Sequence, residues 1–97
     1  MKIQINHLNY TIFVKDISKS EYNDMFDMCV VKEDDNSCTL YKPNKIKKHD
    51  IPTLAHEVLH CLQFISEARS IDLVQEEENM GYMMQYILNE LLGFSYC

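Results

Sequence analysis

The apolar pattern of this chain changes period once, and that change divides the fold. Up to Pro43, hydrophobic residues alternate with polar ones or gather in short β-branched and aromatic runs. Beyond Asp50 they recur at spacings of three and four. The first pattern suits one face of a pleated strand, the second one stripe of a helix. Strands segregated ahead of helices in 97 residues read as a single α+β domain, residues 1–97.

The strand half is punctuated by turns. Residues 2–6 and 10–14 carry Ile3, Ile5, Tyr10, Ile12 and Val14, with His7-Leu8-Asn9 as the turn between them. Ser18-x-x-Glu21 has the form of a one-turn helix start. Two more strands are expected at 27–32 and 38–42, joined by the acidic turn 33–37. Pro43 stops the last strand because it has no N–H for a ladder. The expectation is an N-terminal antiparallel sheet of three to four strands followed by two packed helices.

The first helix is expected to start with Asp50 as N-cap and Pro52 in the first turn, and to run to Ala68 or Arg69. Leu54, Val58, Cys61, Leu62 and Ile65 form its apolar face. A second start at Asp72-Leu-Val-Gln75, a capping-box variant, opens a helix that ends near Gly93. Its stripe of Leu73, Met80, Met83, Met84, Ile87, Leu88 and Leu91 reads as core.

Composition narrows the class. Hydrophobic residues at 46% and charged residues at 25% fit a globular domain. The apolar runs are too short for a membrane-spanning helix, and the N-terminus has no continuous apolar segment of signal-peptide type. A net charge of −6 disfavours binding to nucleic-acid phosphates, and the cluster Lys42, Lys45, Lys47 and Lys48 reads as a solvated loop. The four cysteines form no CxxC pair, so free thiols in the cytoplasm are expected, although Cys29 and Cys38 flank the last hairpin.

The chemistry resides in His56-Glu57-Val58-Leu59-His60, an HExxH motif. Residues four apart on a helix lie one above the other, so both imidazoles address one point, opposite the apolar face. Two nitrogen ligands with room for oxygen favour zinc, and Glu57 is placed to take a proton from water beside it. A third protein ligand is needed. The metzincin continuation is excluded, because Gln63 and Ser66 occupy its Gly and His positions, and no histidine follows His60. A carboxylate from Glu76-Glu77-Glu78 remains, at the start of the second helix. Helical projection places Glu77 nearer the apolar stripe.

Two stretches resemble a known family: Pro52-Thr-Leu-Ala-His56-Glu-Val-Leu-His60 and Glu78-Asn-Met-Gly81-Tyr82. They look like the minimal gluzincin-type zinc peptidase domains, most of all the short phage and prophage versions, with ImmA/IrrE-type peptidase domains as more distant relatives. The resemblance covers roughly residues 38–92 and implies a small zincin-like domain. Its implied metal ligands are His56, His60 and Glu78, with Glu57 as general base. Gly81, one turn after Glu78, would allow the helices to approach closely. Tyr82 stands where larger gluzincins often have an Asp that orients a zinc histidine. The resemblance also maps the cleft-lining strand onto Cys38–Lys42, as an edge to which a peptide would add.

The function expected is zinc-dependent hydrolysis of a peptide bond in a peptide or protein substrate. Candidate oxyanion donors are Tyr82, Tyr86, Tyr41 and His49. The alternative is a zinc-binding interaction protein that holds a protein partner in its cleft, because 97 residues leave little room for a second substrate lobe. A purely structural zinc site would leave Glu57 without a task.

Overall fold

The computed structural model describes residues 1–17 and 28–93. Its strands are β1 (Lys2–Ile5), β2 (Tyr10–Ile17), β3 (Cys29–Asp34) and β4 (Ser37–Pro43). Two helices follow, α1 (Ile51–Arg69) and α2 (Glu77–Leu92). The α+β class and the order of strands before helices are as the apolar pattern predicts. The helix start at Ser18 lies outside the described residues.

The sheet is mixed rather than antiparallel, with strand order β1-β2-β4-β3. β2 pairs in parallel with β4, from Thr11 opposite Ser37 to Ile17 opposite Pro43. β4 is therefore a central strand, and the expectation that it forms an edge is corrected. The physical reason lies in the two strands of the hairpin. Lys32, Glu33 and Asp34 of β3 are exposed, as suits an edge, whereas Ser37 to Leu40 of β4 are buried. Placing β4 inside and β3 outside buries the apolar strand and leaves the charged one in water.

The same register overturns the reading of Lys42 as part of a solvated loop. Asp16 lies opposite Lys42, whose ammonium donates to Asp16 Oδ1 at 2.9 Å and to the Pro43 carbonyl at 3.2 Å. Lys42 is buried, while Lys45, Lys47 and Lys48 are exposed. Cys29 and Cys38 do not face each other, because Cys29 is opposite Tyr41 and Cys38 is opposite Lys32. Both are free thiols.

Local signals set the element ends. Asp34 Oδ1 accepts from the Asn36 N–H at 2.7 Å and the Ser37 hydroxyl at 2.9 Å, so β3 runs on to Asp34 and the turn tightens onto Asp35 and Asn36. Asp50 stands at the N-cap position of α1, as expected, but makes no side-chain capping hydrogen bond to it. Its carboxylate accepts the Lys47 N–H at 2.9 Å and closes a short 3-10 turn that leads into the helix. Asp72 likewise caps a turn, accepting from Val74 at 2.9 Å and Gln75 at 3.2 Å, and α2 starts five residues later at Glu77. Gly93 ends α2 at φ 72, the left-handed conformation that costs glycine least.

The core lies between the sheet and the two helices. Ile3, Ile5, Ile12 and Leu40 from the strands meet Leu54, Val58, Cys61 and Ile65 of α1 and Met80, Met83 and Ile87 of α2. Each of the larger aliphatics contributes about 1.5–3 kcal/mol by leaving water. Among the described residues, no helix is long and apolar enough to cross a membrane.

Arg69 ties the end of α1 to both turns of the sheet. Its guanidinium donates to the carbonyls of Leu8 (2.7 Å), Asn9 (3.0 Å) and Asp35 (3.1 Å) and to Asn36 Oδ1 (2.7 Å). It also lies 5.8 Å from the centre of the Tyr10 ring, a cation–π distance. Beneath it, Tyr10, Cys38 and Cys61 are buried together. The Cys61 thiol is pushed well above its usual range, by its hydrogen bond with Cys38 and then by burial. The same hydrogen bond lowers Cys38. These thiols are packing groups of the core.

Candidate metal centre

α1 presents the motif as its spacing requires. Its apolar face is turned inward at Leu54, Val58, Cys61, Leu62 and Ile65, which leaves His56 exposed and His60 half-buried. The His56 and His60 Nε2 atoms are 3.1 Å apart, and the rings meet edge to face with centroids 4.7 Å apart. Donor atoms of His56, Glu57 and His60 all lie within 4.8 Å of one another, the one such group of three or more found among the described residues.

This geometry fits a zinc ion. Two nitrogens 3.1 Å apart, each about 2.0–2.1 Å from a shared ion, subtend roughly 100°, near the tetrahedral angle. The donor chemistry agrees, since imidazole nitrogen with carboxylate oxygen is a common zinc set.

One His60 tautomer satisfies both ring contacts. His60 Nδ1 lies 3.1 Å from Gln63 Oε1, an acceptor. With its proton on Nδ1, His60 donates to that oxygen and leaves the Nε2 lone pair facing His56 Nε2 at 3.1 Å. In that tautomer His60 offers Nε2, supported by a residue one turn along the same helix. Such support of a ligating histidine is the usual partner of a zinc site. The i+3 spacing of Gln63 from His60 is the sequence signal for this contact.

The remaining carboxylate candidates sit differently. Glu77 and Glu78 occupy the first turn of α2, both exposed, and neither belongs to the group formed by His56, Glu57 and His60. Gly81 faces open space, with nothing within 4 Å of where a Cβ would stand. It is not a point of close helix approach, and that expectation is corrected. Tyr82 and Tyr86 line a cleft bordered by none of the motif residues. Tyr86 Oη lies 3.5 Å from the Gln4 carbonyl. His49 is largely exposed beside Asp50, at 3.4 Å from its carboxylate.

Burial raises the pKa of Cys29, on β3, and the nearby Glu57 carboxylate raises it further. No protein-family model, curated protein or solved structure matches the chain.

Proposed function

We propose that this chain is a zinc-dependent metallopeptidase of minimal gluzincin type, hydrolysing a peptide bond in a peptide or protein substrate. The observation that carries the reading is the approach of two imidazole Nε2 atoms to 3.1 Å on one helical turn, with the Glu57 carboxylate beside them. His56 and His60 supply the nitrogen ligands, and Glu78 supplies the carboxylate from the following helix. The choice of Glu78 rests on the resemblance of Glu78-Asn-Met-Gly81-Tyr82 to the family signature.

A bound zinc ion supplies positive charge that polarises the scissile carbonyl and acidifies water to a pKa of about 7. The chain's own residues do the rest. Gln63 holds His60 in the tautomer that offers Nε2. Glu57 accepts a proton from the attacking water and passes it to the leaving amine. The same resemblance implies a phage or prophage origin, which would place its action in the host cytoplasm; the net charge of −6 argues against nucleic acid as the partner.

A second reading has one observation in its favour. Leu59, 44% exposed, lies within the motif between His56 and His60. An apolar surface beside a metal site suits a protein that grips a partner without cutting it.

Metal content per chain tests the shared premise. Wild type is expected to retain one zinc through gel filtration, and His56→Ala and Glu78→Ala to lose it. Loss in Glu77→Ala but not in Glu78→Ala would move the third ligand by one residue. Equal metal in all variants would remove the site. Glu57→Gln then separates the readings: a peptidase keeps its zinc and loses cleavage, whereas a binding protein keeps both zinc and a stoichiometric partner.

A further inference from the structure

A cleft of about 910 Å³ opens between the outer edge of β1 and the first half of α2, and no residue of the HExxH motif lines it. Its inner wall is apolar, with Ile5, Met80 and Met83 buried there. Its carboxylates are Asp72 and Glu76; among the described residues no lysine or arginine lines it, and His7 is its basic side chain. Tyr82, 63% exposed, stands at the same wall.

One side of this cleft is a strand edge. Among the described residues, β1 is at the end of the sheet and pairs only with β2. The Val14 N–H donates to the Met1 carbonyl at 2.9 Å. Hydrogen-bonded and non-bonded pairs alternate along an antiparallel ladder. With Ile3 opposite Ile12 and Gln4 opposite Thr11, Ile3 therefore bonds inward to β2, and Gln4 turns its N–H and C=O outward. The Gln4 carbonyl meets the Tyr86 hydroxyl at 3.5 Å, at the far limit for an O–H donor. A main-chain acceptor, facing a cleft and poorly served, is what an added strand would satisfy.

We infer that the cleft binds an extended peptide bearing basic side chains, which adds to the sheet as a fifth strand at Gln4. Its backbone N–H replaces the Tyr86 hydroxyl on the Gln4 carbonyl. Every second side chain of such a strand points to the helix side of the sheet. There, apolar side chains meet Met80 and Met83, and a lysine or arginine stem reaches past them to Asp72 and Glu76, with Tyr82 offering a ring face to the cation. The acidic lining sets the sign of the partner and the strand edge sets its conformation. The site is independent of the metal centre.

The probe is a capped heptapeptide of alternating lysine and valine, titrated in chelator so that metal plays no part. Amide shifts of the protein are followed by NMR. Saturable changes centred on Gln4, Asp72, Glu76 and Tyr82 are expected, with weaker binding at high salt. A heptapeptide with glutamate in place of lysine is expected not to bind. The double variant Asp72→Asn, Glu76→Gln keeps the acceptors used within the turn and is expected to weaken binding at least tenfold. A lysine–valine peptide with N-methylated backbone should also fail. Shifts that map elsewhere in the wild-type protein, or binding unaltered by the N-methyl groups, would overturn the proposal even if the double variant does not fold. His56→Ala should bind the peptide as wild type does.

Discussion

His60 Nε2 faces His56 Nε2 at 3.1 Å while His60 Nδ1 is engaged by Gln63 Oε1, also at 3.1 Å. The two contacts make one chain, satisfied when the His60 proton sits on Nδ1, facing Gln63, and Nε2 is left for a metal. Gln63→Leu is expected to lower zinc affinity by about 10–100-fold, the usual cost of removing such a support. Gln63→Glu should restore or exceed the wild-type value. Competition with a zinc-binding dye gives the affinities. The ¹⁵N shifts of the metal-free His60 ring give the tautomer, which a purely structural role for Gln63 would leave unchanged.

Lys42 and Asp16 are unequally buried, with side chains 9% and 51% exposed. That asymmetry decides which deletion hurts. Asp16→Ala leaves a buried ammonium with the Pro43 carbonyl at 3.2 Å as its acceptor among the described residues, and is expected to destabilise by about 1–3 kcal/mol. Lys42→Met removes the buried charge and returns a half-exposed aspartate to water, so its effect should be smaller. Urea denaturation of both variants measures the difference. A larger loss in Lys42→Met would show that the ion pair itself, not the stranded charge, carries the energy.

Gly81 sits inside α2 with open space where a Cβ would be. Gly81→Ala is expected to stabilise the protein by about 0.5–1 kcal/mol, by helix propensity and reduced unfolded-state entropy. A rise in the thermal midpoint checks this. A fall would mean that a neighbour approaches this position when the protein is loaded with metal or ligand, a distinction that repeating the measurement with zinc would make.

Asp34 is held below its ordinary carboxyl pKa of 3.8 by the Asn36 N–H and then the Ser37 hydroxyl. A group depressed in the folded state stabilises above its unfolded pKa and loses that contribution as pH falls through the folded one. Wild type should therefore exceed Asp34→Ala in thermal midpoint at neutral pH. The gap should narrow only as pH drops below 3.8. A gap independent of pH would assign the effect to turn geometry rather than to the charge.

Much of this protein is written in local pattern. The change of period at residues 43–50 separated strands from helices, and the spacing in His56-Glu57-Val58-Leu59-His60 was enough to place two imidazoles on one exposed turn. Both follow from geometry within a single element, which the neighbouring residues dictate. The hydrophobic stripe of α1 was legible for the same reason: Leu54, Val58, Cys61, Leu62 and Ile65 are all buried.

What the local pattern missed depends on which elements become neighbours. Alternation in residues 37–42 is the same whether that strand lies at an edge or in the middle, and only its insertion between β2 and β3 buries Lys42 against Asp16. Arg69 carries no motif, yet its fork gathers two turns that are 33 to 61 residues away in sequence. The cleft likewise exists only because α2 stands beside the outward-facing edge of β1. Sequence spacing determined what each segment is and which way its side chains point; packing decided which faces meet, because burial and hydrogen bonding must be satisfied for all segments at once.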